Sequence, residues 1–204
     1  LTSPLTRLYR RLRYGKPIVV VSGLPRSGTS MLMKMLEAGG LPLVVDGQRV
    51  ADEDNPKGYY EDERVKNLAQ DPDKGWLAPA RGKAIKIISF LLKDLPPHHN
   101  YQVVFMRRTL QEVLASQGKM LERRGETSET GDERMRELFE SDLWKARYLL
   151  KHRPQFETLE VHYRDVLEKP AEQAERINRF LGGGLDVAAM SGVVDRELYR
   201  NRAD

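Results

Sequence analysis

Residues 18–30, IVVVSGLPRSGTS, run a stretch suited to a buried strand straight into Gly23, Leu24, Pro25, Arg26, Ser27, Gly28, Thr29 and Ser30. A strand feeding a glycine-rich turn and then a helix aims several backbone N–H groups and a helix N-terminus at one point, and that point binds anions. The spacing is that of a phosphate-binding loop. In such loops a lysine reaches the β and γ phosphates of a nucleoside triphosphate and the next Ser/Thr holds magnesium. Here Thr29 stands at the lysine position, and an arginine, Arg26, lies inside the loop. Magnesium also calls for a carboxylate at the end of a neighbouring strand, yet YQVVFMRR (101–108) ends in Arg107 and Arg108. The loop thus exchanges its lysine for an internal arginine, and the strand end exchanges the metal's expected carboxylate for positive charge, although Ser30 keeps the hydroxyl at the next position. A short, multiply anionic group handled without magnesium fits this loop; ATP or GTP fits it poorly.

Arg108 stands just before Thr109-Leu-Gln-Glu112, a capping-box pattern that opens a helix. It lies at the carboxyl edge of the expected sheet, where open α/β sheets bind ligands. Ser116 is about two turns further along the same helix, roughly 10 Å along its axis. Arginine and serine so placed suit a second phosphate, because guanidinium–phosphate contacts are among the stronger polar ones. The competing reading pairs Arg108 with Glu112 and leaves Ser116 as a small helix residue.

The elements that must position these residues show in the apolar pattern. Strand-like runs occur at 18–21, 43–45, 84–88, 101–106 and 158–161, short and continuously apolar as in parallel strands buried on both faces. Helical stripes separate them: Met31, Leu32, Met35 and Leu36 up to Gly39-Gly40; Val113, Leu114, Gln117, Met120 and Leu121; residues 133–152; and Pro170 to Gly182. The alternation predicts an α/β fold, a three-layer sandwich on a central, mostly parallel sheet like that of P-loop nucleoside-triphosphate hydrolases. Residues 46–62 and 122–134 read as polar insertions. The second is expected to be a solvated loop, while the tyrosines and Pro-Gly turn of the first suggest order.

Two segments are expected: a basic N-terminal helix at 1–16 and a single α/β domain at 17–204. Residues 1–16 carry Arg7, Arg10, Arg11, Arg13 and Lys16 and no acid. The remaining chain therefore holds 29 basic against 30 acidic residues, and the overall charge is +4. A nucleic-acid binder is basic over its body, so none is expected as a partner. Leu5, Leu8, Tyr9 and Leu12 form a stripe on the basic helix. That stripe suits either a membrane-surface contact or a helix packed on the domain with its basic face in solvent; the second is the expected arrangement. The absence of cysteine removes disulfides and thiolate metal sites and agrees with a reducing, cytoplasmic setting.

Together these residues resemble the sulfotransferase family, which transfers a sulfuryl group from 3′-phosphoadenosine 5′-phosphosulfate. LPRSGTS is similar to that family's 5′-phosphosulfate loop in the arginine form of tyrosylprotein and many bacterial sulfotransferases. Arg108 and Ser116 match its 3′-phosphate motif in type and spacing. HYRDVLEKPAEQAERINRFLG (162–182) resembles the segment near the adenine, with Arg164 replacing the usual glutamate, and Lys86 falls where the family has a strand-end lysine. The resemblance implies that Arg26, Ser27, Gly28, Thr29 and Ser30 grip the phosphosulfate. It further implies that Arg108 and Ser116 hold the 3′-phosphate, that Tyr163 lies near the adenine, and that no metal is required. Arg26 would stabilise charge on the bridging oxygen, with Lys86 as a second cation; a strand-end lysine reaching solvent is the alternative for Lys86.

The acceptor, a small molecule, carbohydrate, lipid or protein bearing a hydroxyl or amine, needs a general base. The histidine used by cytosolic small-molecule members is replaced by Ile88, and His98 and His99 follow Pro96-Pro97 in what reads as a surface turn. In arginine-loop members the base is a carboxylate about twenty residues past the loop, which lands on Asp46. Glu61 is the rival, since Pro56-Lys57-Gly58 can turn it toward the loop; Asp46 is preferred. Asp52, Glu53 and Asp54 read as a solvated charge run. Arg196 or Arg200 in the last segment could face a phosphate, although a solvated tail is the simpler reading. Two other functions stay open: a nucleotide or metabolite kinase with a degenerate loop, and a non-catalytic nucleotide-binding module on the same fold.

Overall fold

Alternating apolar side chains along β1 (Ile18–Gly23) send Ile18 and Val20 to one face and Val19 and Val21 to the other, and all four are buried. A strand apolar on both faces must lie inside a sheet that is covered on both sides. In the computed structural model, which describes residues 4–46, 60–125 and 131–195, it does. β2 (Ala84–Lys86) and β3 (Tyr101–Arg107) flank β1, and β4 (Phe156–His162) completes a four-stranded, wholly parallel sheet of order β2-β1-β3-β4.

Helices cover both faces. α2 (Thr29–Ala38), α6 (Tyr163–Glu168), α7 (Pro170–Leu181) and α8 (Val187–Gly192) pack Leu32, Met35, Val166, Ile177 and Met190 against Val19, Val21, Val104 and Met106. On the other face, α5 (Asp132–His152) and two 3₁₀ turns (Gly75–Ala80 and Ser89–Asp94) place Ala146, Leu150, Leu77 and Leu92 against Ile18, Val20, Val103 and Phe105. The expected three-layer α/β sandwich is present. α1 (Pro4–Tyr14), α3 (Glu63–Lys66) and α4 (Leu110–Arg124) lie around this frame. Among the described residues no helix is long and apolar enough to cross a membrane.

Several expectations need correction. The run at 43–45 makes only an isolated bridge, Leu43 to Ala84, because the chain turns away there and the Asp46 N–H bonds to the Glu61 carbonyl. β2 ends at Lys86, since Ser89–Asp94 coils into a 3₁₀ turn. The capping box at Thr109 does not form. The Thr109 side chain caps nothing, and Glu112 turns to Arg108 instead, because a buried guanidinium needs a counter-charge more than a helix end needs a second cap. The polar stretch at 122–134 is shorter as a loop, with α4 running through Arg124 and α5 starting at Asp132. Residues 52–58, 196 and 200, which carry earlier expectations, lie outside the described residues.

α1 is held on the domain with Arg7, Arg11 and Arg13 in solvent as expected, but its leucine stripe is not the face that packs. Arg10 donates to the Pro97 and His99 carbonyls at 2.7 and 2.8 Å, and Asn100 donates to the Arg10 and Gly15 carbonyls. Arg10 therefore holds the helix on the domain, while Arg7, Arg11, Arg13 and the leucine stripe are all exposed. Unmatched backbone carbonyls in the turn before β3 attract the arginine more strongly than the leucines can be attracted to a polar surface.

His99 is also a correction: it lies in a turn, but buried, whereas His98 is exposed. Its Nδ1 accepts a hydrogen bond from Arg81 Nη2 at 3.3 Å, since arginine can only donate. Burial, then the charges of Arg81 and His98, lower its pKa from 6.5 to about 4. The folded state thus holds His99 neutral while the unfolded chain protonates below pH 6.5, so this residue's contribution to stability is complete above 6.5 and is lost as pH falls toward 4. His99→Gln is expected to flatten the acid limb of a melting-temperature profile over that window. A limb identical to wild type would remove His99 as its cause.

Candidate functional site

The chain passes from β1 to β2 on one side of it and then to β3 on the other, so the carboxyl end of β1 is a switch point in strand order. Ligands bind open α/β sheets at such points. The glycine-rich turn leaves β1 there, and β3 delivers Arg107 and Arg108 beside it, with Gly23 in register with Met106.

The turn is shaped by close approach. A Cβ at Gly23 would lie 2.6 Å from both the Met106 carbonyl oxygen and Ser27 Oγ, and one at Gly28, where φ is +101°, would lie 2.5 Å from Tyr163 Cδ2. Ser27 Oγ donates to the Leu24 carbonyl at 2.6 Å and closes the loop. Arg26 adopts φ 64°, a left-handed conformation uncommon for a side-chain-bearing residue and often found at functional sites. Gly28→Ala is expected to destabilise the protein by at least about 1–3 kcal/mol through backbone strain and the clash with Tyr163. The midpoint of urea unfolding reads this, and an unchanged midpoint would contradict the packing.

Arg26 joins the two predicted anion anchors. Its Nε donates to Ser116 Oγ at 3.2 Å, and its carbonyl accepts from Arg108 Nη1 at 3.2 Å. Arg108 also donates to Glu112 Oε2 at 2.9 Å, and the two side chains are only 7% and 6% exposed. The pairing weighed as an alternative is therefore present, and it coexists with the convergence on the loop. The Arg108 guanidinium stacks on the Tyr163 ring, 4.4 Å from its centroid. Tyr163, which opens α6 after β4, is buried between that arginine and Gly28; burial raises its pKa, against the opposing pull of Arg108. Arg164 points away and pairs with Glu168 on the surface, so its departure from the family pattern falls outside this cluster.

On the other side of the loop Lys86 closes β2, paired in register with Val21. Its side chain is 9% exposed, and Nζ donates to Glu61 Oε1 at 3.0 Å and Ser30 Oγ at 3.3 Å. A strand-end lysine reaching solvent is thereby excluded. Asp46 is placed differently: its Oδ2 accepts the Glu63 N–H at 2.6 Å, which ties down the start of α3 just beyond Glu61. The structure thus brings Glu61, Lys86 and Ser30 together, and Asp46 braces the segment that carries Glu61.

Sequence reasoning missed Tyr60. It holds φ 53° and donates its hydroxyl to Glu37 Oε2 on α2 at 2.9 Å; burial and that carboxylate push its pKa up to about 12. Its left-handed backbone aims the next residue, Glu61, toward Lys86. In the sequence, only the Tyr-Tyr pair following Pro56-Lys57-Gly58 hinted at this order.

Neither a protein-family model nor a curated protein matches the sequence. Solved structures do match in fold. A sulfotransferase domain from the curacin biosynthetic pathway superposes with a TM-score of 0.52 at 15% identity, over 89% of this chain and 79% of that one. The chain shares its fold with sulfotransferases. A sulfotransferase from Alicyclobacillus acidocaldarius gives a TM-score of 0.50 at 16% identity, over 85% of both chains. A sugar kinase from Janibacter sp. HTCC2649 gives 0.42 at 14% identity, over 88% and 99%, a distance at which it weighs on no reading.

Proposed function

We propose that the chain is a sulfotransferase that moves a sulfuryl group from 3′-phosphoadenosine 5′-phosphosulfate to a hydroxyl or amine acceptor without a metal. The observation that carries this reading is the position of Arg26, which touches Ser116 through its side chain and Arg108 through its carbonyl. Two anion motifs far apart in sequence lie side by side, so that one nucleotide with two anionic ends can reach both.

In this reading the N–H groups of residues 27–30 and the N-terminus of α2 hold the phosphosulfate, and Arg108 and Ser116 hold the 3′-phosphate. Glu61 accepts the proton of the acceptor hydroxyl as the acceptor oxygen bonds to sulfur. The bond from sulfur to the bridging oxygen breaks, and that oxygen leaves with its electron pair on the 5′-phosphate. Arg26 and Lys86 stabilise the charge that collects there. Lys86 then has a second anion to pair with, which lets Glu61 turn to the acceptor. Positioning and fixed charge account for most of the expected acceleration.

The test is transfer of ³⁵S from labelled donor to a panel of hydroxyl and amine acceptors in EDTA, with Arg26→Ala as control. Label in an acceptor from wild type alone supports the proposal. Transfer of ³²P from ATP with magnesium, and no transfer of ³⁵S, would assign the fold to a kinase instead.

A further inference from the structure

Among the described residues the apolar stripe of α1 has no counterpart on the domain. Leu5 and Leu12 are 78% and 80% exposed, and Leu8 and Tyr9 are exposed between them. At 3.6 residues per turn these four side chains share one arc about 100° wide, with Arg11 and Arg13 at its two margins, both exposed. Solvent-facing leucines in such a row are unfavourable unless something apolar covers them. The helix is fixed in this orientation by polar contacts on its opposite face: Arg10 to the Pro97 and His99 carbonyls, and Asn100 to the Arg10 and Gly15 carbonyls.

We infer that α1 is a membrane-surface helix that lays Leu5, Leu8, Tyr9 and Leu12 into an anionic lipid bilayer. Charge complementarity selects this occupant. The segment 1–16 carries five basic residues and no acid, while the rest of the chain is close to neutral. Arginines at the margins of an apolar arc meet lipid headgroups while the leucines enter the acyl boundary. An apolar protein partner would use the stripe but would not need an exposed arginine at each margin. The geometry also leaves the phosphate site open, because α1 leads into the amino end of β1 and is anchored beside the starts of β3 and β4, at the edge of the sheet opposite the loop. The inference does not depend on which group the loop transfers.

The test is co-sedimentation of the 204-residue chain with vesicles of phosphatidylcholine alone, or of phosphatidylcholine and phosphatidylserine two to one. Wild type is expected to sediment with the mixed vesicles, far less with the neutral ones, and less as salt is added. Leu8→Gln/Leu12→Gln and Arg11→Ala/Arg13→Ala are each expected to lower the apparent affinity at least about tenfold with no change in melting temperature, since only exposed side chains change. No sedimentation with mixed vesicles, equal sedimentation with both kinds, or full sedimentation of the glutamine variant would overturn the inference. A wild-type dimer in light scattering that the glutamine variant turns into a monomer would assign the stripe to a second copy of the chain and overturn it too.

Discussion

Glu61→Gln is expected to lower kcat about 100- to 10,000-fold, the usual contribution of a positioned general base, with little change in affinity for 3′-phosphoadenosine 5′-phosphate. Glutamine keeps an oxygen for Lys86 to donate to, so the 3.0 Å contact and the fold around it should survive. What it removes is the capacity to take a proton. Asp46→Asn is the paired control. Its amide oxygen can still accept the Glu63 N–H, so the brace on α3 should hold and kcat should stay within a few-fold of wild type. The reverse outcome, a large loss for Asp46→Asn and none for Glu61→Gln, would return the role of base to the residue that the sequence alone preferred. The two variants separate cleanly because the side chains face different partners although Asp46 N–H and the Glu61 carbonyl touch.

Arg108→Ala is expected to destabilise the protein by about 3–5 kcal/mol, because it breaks a buried ion pair by removing one partner. It also removes the guanidinium stacked on Tyr163 and the donor to the Arg26 carbonyl, so the loop should lose definition. Loss of donor binding in this variant is therefore ambiguous by itself. Arg108→Met/Glu112→Leu resolves it. Replacing both partners of a buried pair with apolar side chains of similar size is often neutral, so urea unfolding should show most of the stability regained. Affinity for the 3′,5′-bisphosphate should remain lost, since the Arg108 guanidinium then no longer faces the 3′-phosphate. Regained stability together with regained affinity would show that Arg108 supports the loop and does not hold the ligand.

The contrast between these two cases reflects what was legible in the sequence. The loop and its flanking strand and helix are local: apolar run, glycines and helix stripe lie within about twenty residues, and β1 and α2 formed where the pattern put them. Helix geometry placed Ser116 about two turns beyond Thr109, and the family resemblance paired it with Arg108. Their meeting at Arg26 needed tertiary structure. Lys86 and Glu61 converge through a segment whose course depends on Tyr60 in a left-handed conformation and on the Asp46 brace, and neither residue type announces that role. The capping box at Thr109 and the orientation of α1 were misread for one reason: a sequence pattern records which local contacts are available, and buried charges and unmatched carbonyls elsewhere chose other partners. His99 went the same way, drawn under Arg81 and against Tyr101 from a turn that composition alone placed at the surface.

We propose that the loop and the Arg108–Ser116 pair form one site for a nucleotide with two separate anionic ends and no metal. A thermal-shift comparison of 3′-phosphoadenosine 5′-phosphate with ADP, each in EDTA and in magnesium, tests it most directly. A ligand at a hundred times its Kd adds about 2.7 kcal/mol, on the order of 5–10 °C for a chain of this size. That shift is expected with the 3′,5′-bisphosphate in EDTA, and little with ADP. Stabilisation by ADP with magnesium alone, or by neither nucleotide, would contradict it.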